Sequence, residues 1–242
     1  MTFLVSHDIP LSRQTVDAWK GEGGLVLKRH TSSARIEQYI DRHLDTEFVL
    51  NLGSAINADI INPNITVINP NRVVQHLWDP VGTRAALDSV LPPIPPLGHR
   101  DFWYKTTGRA GMGKLRITDT AFGALAHSRH DTRRPGDFQV HVEGTEYRVI
   151  TVGGRIVQQF LRSGPNGDRT YRWLERAALP NLITDVVARA TRDLGTYTLI
   201  AWDTIHDAER GYILEGNCCP GVKPPTAARI VSAVRRLINA ER

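Results

Sequence analysis

Apolar residues in the first third of the chain follow two alternating rhythms. Short apolar runs at 3–7 (FLVSH), 25–30 (LVLKRH), 48–53 (FVLNLG) and 66–70 (TVINP) are interleaved with segments of helical spacing at 12–20 and 33–44. Strands that alternate with helices predict βαβ units on a parallel sheet, and so an α/β class for this part. Residues 72–91 (RVVQHLWDPVGTRAALDSVL) predict a helix interrupted at Pro80. The following PPIPP, 92–96, is a stiff spacer that cannot pair inside a sheet. It sets the expected boundary between an N-terminal α/β lobe, 1–97, and a second unit, 98–242.

Beyond the spacer the pattern changes to hairpins and the class to α+β. Two β-rich runs within 146–162 flank Gly153-Gly154, a two-residue turn signal. A turn centred between these glycines predicts Tyr147 opposite Phe160 and Arg148 opposite Gln159. A second hairpin is predicted from 197–206 and 211–217, joined by DAER; centred on residue 209, it sets Asp203 opposite Glu215. Residues 181–194 predict a helix with Asn181 as N-cap and Gly195 as its stop, and the last 20 residues, from Lys223, a surface helix.

Composition narrows the class of protein. Among 242 residues, 41% hydrophobic and 23% charged excludes disordered and collagen-like chains. No apolar run approaches the ~20 residues of a bilayer-spanning helix, and MTFLVSHDIP lacks the pattern of a secretory leader. The expectation is a cytoplasmic protein with no membrane partner. Its two cysteines, Cys218 and Cys219, are neighbours and cannot staple distant segments, which fits a reducing compartment. The net charge of +5 is uneven: residues 1–97 hold 8 Lys and Arg against 10 Asp and Glu, and residues 98–242 hold 22 against 15.

Three segments in the basic part carry candidate chemistry. WYKTTGRAGMGK (103–114) contains Gly108, Gly111 and Gly113 ahead of Lys114, with Lys105 on the preceding strand. The spacing Gly108 to Lys114 matches a Walker loop, but Leu115 stands where a hydroxyl belongs and LRITDT reads as a strand, not a helix. The glycines still allow close backbone approach to an anion. Asp203, Glu215 and Asn217 form an oxygen-donor trio suited to magnesium, since residues two apart on a strand share a face. QVHVEGTEYR (139–148) by itself says only surface hairpin. His127 and His130 read as part of a polar loop, and the two cysteines as packing thiols.

Together and in this order, the segments resemble the ATP-grasp superfamily of carboxylate-amine ligases, nearest the branch containing ribosomal-protein glutamate ligases. The resemblance spans roughly residues 100–222 and is most specific at EYRVITVGGRIV and YILEGNCCPG, where Glu215, Asn217, Pro220 and Gly221 supply the ending E-x-N-x-x-P-G. It implies an ATP-grasp fold behind a small parallel-sheet lobe, with ATP and Mg2+ as cofactors. It also implies that Lys105 contacts phosphates, that Gly108, Gly111 and Gly113 fold over them, and that Gln139, Val140, His141 and Val142 line the adenine pocket with Glu143 near the ribose. Arg148 and Arg162 resemble the arginines that meet the phosphoryl group or acyl substrate, and Asp203, Glu215 and Asn217 the magnesium ligands. Many members use a further lysine near WDPVGTRAAL; here Arg84 is its candidate replacement, although a planar fork is not an equivalent point charge. The implied partners are a small-molecule or peptide carboxylate and an amine. Two other readings stand beside this one: a basic nucleic-acid-binding module, disfavoured because its arginines are scattered, and a nucleotide-binding ATP-grasp protein without ligase activity.

Overall fold

A computed structural model describes residues 2–8, 10–54, 64–96, 99–106, 113–118, 136–163, 172–175 and 178–240. Strands β1 (Thr2–His7), β2 (Gly24–Val26), β3 (Thr46–Leu52) and β4 (Thr66–Ile68) form a parallel sheet in the order β2-β1-β3-β4. Its crossovers are α1 (Arg13–Gly21) and α2 (Ser33–Arg42). Ser12 caps α1 by accepting from Thr15 N–H at 3.2 Å. The predicted strand at 25–30 is shorter than its apolar run because Lys28 to His30 turn away into the loop before α2.

Pro80 does split the helix predicted over 72–91. Helix α3 (Asn71–Trp78) ends at Asp79, whose carboxylate then accepts from Val81 and Gly82 N–H as the N-cap of α4 (Pro80–Leu87). Proline at N1 gives up an N–H that would have no partner there. A short 3-10 turn, Asp88–Val90, leads into the Pro-rich spacer.

Strands β5 (Phe102–Thr106), β6 (Gly113–Ile117) and β7 (Gly136–Val140) form an antiparallel sheet in the order β6-β5-β7. A second antiparallel sheet has the order β10-β9-β8-β11-β12, from β8 (Thr145–Val152), β9 (Arg155–Ser163), β10 (Arg172–Glu175), β11 (Leu199–His206) and β12 (Gly211–Asn217). Residues 139–148 are therefore not a hairpin: β7 and β8 belong to different sheets. Val140 N–H is held by Pro93 O at 2.9 Å, and Gly144 lies against the His206 carbonyl, so the chain crosses from one sheet to the other.

Helix α5 (Asn181–Leu194) has the predicted bounds and stops at Gly195, whose φ is 94°. Its N-cap is Pro180 and not Asn181, which is already helical. Helix α6 (Pro224–Ala240) was expected on the surface, yet its inner face is core: Ala227, Ile230, Val231 and Val234 pack with Phe3, Phe48 and Leu50 of the parallel sheet and Ile150 and Ala201 of the five-stranded sheet. A second cluster on the opposite face of the five-stranded sheet combines Trp202, Val149 and Ile213 with Val73 and Leu77 of α3 and Val186 and Ala190 of α5.

Both hairpins contain a bulge, and the bulges set which side chains meet. Next to the Gly153-Gly154 turn the pairing is as predicted, Val152 with Arg155 and Thr151 with Ile156. An extra residue in β9, Val157, then shifts the register, so Arg148 lies opposite Phe160 and Tyr147 opposite Leu161, correcting the expectations of Gln159 and Phe160. In the other hairpin His206 pairs with Gly211, Thr204 with Ile213, and Asp203 with Glu215, which leaves Leu214 as the extra residue.

Candidate functional site

One face of the five-stranded sheet changes character along its strands. Val152 and Ile150 of β8 and Leu199 and Ala201 of β11 point into the core beneath α6. By the two-residue period, the same face next carries Arg148 and Asp203, which lie opposite each other. Arg148 Nε and Nη2 donate to the two Asp203 carboxylate oxygens at 2.6 and 2.7 Å. Such bidentate pairs are geometrically specific as well as strong. Glu215 stands across from Asp203 on β12, and Asn217 two residues further along. Without the extra residue Leu214, the register beside the turn would set Leu214 and not Glu215 opposite Asp203.

The same bulge receives Lys105. This residue is central in β5 and almost fully buried at 5% exposure, and its Nζ donates to the Leu214 carbonyl at 2.6 Å. The three-stranded sheet thus meets the five-stranded sheet at the residue preceding Glu215. Lys105, Arg148, Asp203 and Glu215 are brought together although they span 110 positions of sequence.

Arg162 of β9 is ion-paired with Glu146, two residues before Arg148 on β8. Glu146, Arg148, Phe160 and Arg162 share the face of Asp203 because of the register shift at Val157. Residues 139–143 are less uniform. Gln139 is buried and its amide donates to Asp137 at 2.9 Å, while Val140 is tied by its N–H to the spacer. His141 N–H donates to Asp101 O at 3.2 Å, and its Nδ1 accepts from Trp103 Nε1 at 2.9 Å. Val142 is half-buried and Glu143 exposed. Gly113 opens β6 opposite Thr106, and Lys114 lies opposite Lys105; β6 is a strand, so the helix a Walker loop needs does not follow. Gly108, Gly111, His127 and His130 lie outside the described residues.

Arg84, the candidate replacement for the lysine, is engaged with a buried carboxylate. Its guanidinium bridges both Asp137 oxygens at 3.1 and 3.0 Å, and also meets Asp88, the Pro92 carbonyl and the Phe138 carbonyl. It is a strut between α4, the spacer and β7. The buried Asp137 at its far end was missed from the sequence, as were Trp103, Glu146 and the Leu214 carbonyl. Parity signals existed for two of them: Trp103 lies two residues from Lys105, and Asp137 two from Gln139.

The donor set fits magnesium. Two carboxylates and an amide oxygen on one sheet face are hard oxygen ligands, and the guanidinium seated on Asp203 already occupies it as a cation would. Among the described residues no group of three or more His, Cys, Asp or Glu could hold a metal ion. A groove of about 680 Å3 between the 3-10 turn, α5 and the β11–β12 turn lies on the other face of the sheet, away from these carboxylates. At that turn Asp207 accepts from the N–H groups of Arg210 and Glu209, which hold its carboxyl below the usual range.

In the turn after β12 both thiols are held toward the protonated, less reactive form. Burial raises the Cys218 thiol far above its ordinary value, with a further push from Cys219, and burial raises Cys219 to about 12. At pH 8 Cys219 is expected to react with iodoacetamide about 10³-fold more slowly than an ordinary thiol, because the thiolate is the reactive form. The rate should climb about tenfold per pH unit toward 12; mass spectrometry of the native protein checks this.

Gly144 governs the crossing between sheets. A Cβ there would lie 2.0 Å from the His206 carbonyl oxygen, which is backbone and cannot swing aside. Gly144→Ala is expected to cost about 2–4 kcal/mol, read as a lower urea midpoint.

No family model and no curated protein matches this sequence. Solved structures do. A D-alanine–D-alanine ligase from Bacillus anthracis complexed with ATP superposes with a TM-score of 0.61 at 11% identity, covering 100% of this chain and 99% of that one. A RimK domain ATP-grasp protein from Sphaerobacter thermophilus gives 0.60 at 15% identity, covering 97% and 100%. The ATP-grasp ligase PsnB, complexed with a variant of its minimal precursor, Mg and ADP, gives 0.57 at 14% identity, covering 96% and 98%. Likeness over nearly the whole chain assigns this molecule the ATP-grasp fold.

Proposed function

With an ATP-grasp fold as the premise, we propose that the chain is an ATP-dependent, magnesium-requiring carboxylate-amine ligase, with a lobe at 1–97 and the ATP-grasp unit at 98–242. The observation that carries this reading is the convergence of Lys105 with the β12 bulge beside Glu215, and of Arg148 with Asp203 on the adjoining strands. The neighbours solved with ATP, and with Mg and ADP, support the same ligands here.

Amide formation from a carboxylate needs a better leaving group than oxide. A carboxylate oxygen attacks the γ-phosphorus of ATP, the bond from that phosphorus to the β–γ bridging oxygen breaks, and ADP leaves. The amine nitrogen then attacks the acyl carbon of the acyl phosphate, losing a proton as inorganic phosphate departs. Lys105 supplies fixed positive charge at the phosphates from a nearly buried position, where it is worth more than in water. Were Asp203 to hold magnesium, Arg148 would part from that carboxylate and its fork could meet the phosphoryl oxygens or the acyl group. Arg162, held by Glu146, lies on the same face for the acyl substrate. Gln139, Val140, His141 and Val142 would flank the nucleobase, with Glu143 toward the ribose and Gly113 at the start of β6 near the phosphates; Gly108 and Gly111 lie outside the described residues. Asp203, Glu215 and Asn217 would hold magnesium, which neutralises developing phosphate charge.

The substrates are a small-molecule or peptide carboxylate and an amine, in a cytoplasmic setting. No helix among the described residues is long and apolar enough to cross a membrane. Against a nucleic-acid role, Arg84, Arg229 and Arg235, which the ligase reading does not use, are each engaged with a carboxylate. The test is phosphate release with ATP and magnesium across a panel of amino acids and peptides. Release that requires both an acyl donor and an amine supports the ligase; ATP binding without release on any pair leaves a nucleotide-binding protein.

A further inference from the structure

Beside the lysine proposed to meet phosphate stands a buried carboxylate able to compete for it. Lys105 and Asp137 are cross-strand partners of β5 and β7, so their side chains leave the same face of the three-stranded sheet with Cβ atoms about 5 Å apart. Both are almost fully buried, at 5% and 1% exposure. A buried ammonium and a buried carboxylate at this spacing attract each other strongly, because their surroundings screen charge poorly. Yet the Lys105 ammonium reaches across to β12, where it donates to the Leu214 carbonyl at 2.6 Å, next to Glu215.

Arg84 accounts for that direction. From α4 it lays Nε and Nη2 on the two Asp137 oxygens at 3.1 and 3.0 Å, while the Gln139 amide donates to the second of them at 2.9 Å. The carboxylate therefore has a countercharge in a two-pronged geometry that an ammonium cannot reproduce. The fork is itself held in place, since Nη2 also meets the Pro92 and Phe138 carbonyls and Nη1 meets Asp88. Loss of the guanidinium would leave the Asp137 charge buried without this compensation, and Lys105 stands directly opposite it.

We propose that Arg84 is a positioning residue for Lys105: by neutralising Asp137 it keeps the ammonium directed at the β12 bulge and the nucleotide phosphates; those phosphates belong to the ligase reading, on which this role rests. The test is titration of ATP and of adenosine, with magnesium, into the full chain as wild type, Arg84→Gln, Asp137→Asn and the double variant. In Arg84→Gln the uncompensated Asp137 draws Lys105 aside, so ATP should bind about tenfold more weakly, and adenosine, which has no phosphate, as in wild type. Asp137→Asn removes the competitor, so its ATP affinity should stay within about twofold of wild type, and the double variant should match it. That last comparison does not need Arg84→Gln to fold, because neither Asp137→Asn nor the double variant buries a carboxylate at 137. A double variant about tenfold weaker than Asp137→Asn would overturn this role and place Arg84 on the nucleotide itself. Undiminished ATP binding by Arg84→Gln, or equal loss of ATP and adenosine through a general loosening of the strut, would overturn it too. Each of these results leaves the ligase reading intact, whereas a wild type that binds no ATP overturns both.

Discussion

Glu215→Ala is expected to lower ATP-dependent phosphate release by about 10²- to 10³-fold, the scale seen when one electrostatic stabiliser of a developing charge is removed. Glu215 lies across from Asp203 at the point where Lys105 reaches the β12 bulge. Its loss leaves Asp203 and Asn217 as the remaining oxygen donors of the trio. Half-buried near the end of β12, it contributes little to the hydrophobic clusters, so the urea midpoint should move little. Steady-state phosphate release and a parallel melt separate the two effects; full turnover in this variant would contradict the metal assignment.

Asn69→Ala is expected to be the most destabilising single change outside the hydrophobic clusters, at about 4 kcal/mol. Asn69 is fully buried with φ 63° and joins three parts of the chain. Its Nδ2 donates to the Leu199 carbonyl at 2.8 Å, the Asn51 carbonyl at 3.2 Å and the Cys218 carbonyl at 3.4 Å, and its Oδ1 accepts from Leu199 N–H at 2.7 Å. Alanine leaves these buried groups without a partner, at about 1–3 kcal/mol for each that water cannot reach. Asn69→Gly suits the left-handed backbone but also lacks the amide. The difference between the two variants in urea therefore isolates the conformational part, and nearly equal, large losses are expected because the amide dominates.

Much of this architecture was legible because it is local. Periodicity located α5, the parallel-sheet strands and the split at Pro80, since burial of one face imposes spacing on the sequence. The cross-strand partners were less legible, because a bulge is a one-residue event with no compositional mark. The extra residue Val157 moved Arg148 from Gln159 to Phe160 and aligned Arg162 with Glu146. The pairing of Asp203 with Glu215 was anticipated from a turn centred on residue 209, but its physical cause is different: the four-residue turn alone gives another register, and Leu214 restores this one. Long-range polar contacts left no signal. Arg84 and Asp137 are 53 positions apart, and Lys105 finds a backbone carbonyl 109 positions away, which no side-chain pattern reports. Asn69 was equally silent, as its partners are all backbone groups.

Lys105 and the Asp203–Glu215–Asn217 trio are expected to bind a magnesium nucleotide jointly. Titration calorimetry of ATP into the full chain, with and without magnesium, tests this most directly in wild type, Lys105→Ala and Glu215→Ala. Binding in the wild type should tighten with magnesium, weaken in Lys105→Ala under both conditions, and lose its magnesium dependence in Glu215→Ala. ATP binding that is indifferent to magnesium and unchanged in both variants, or no binding at all, would contradict it.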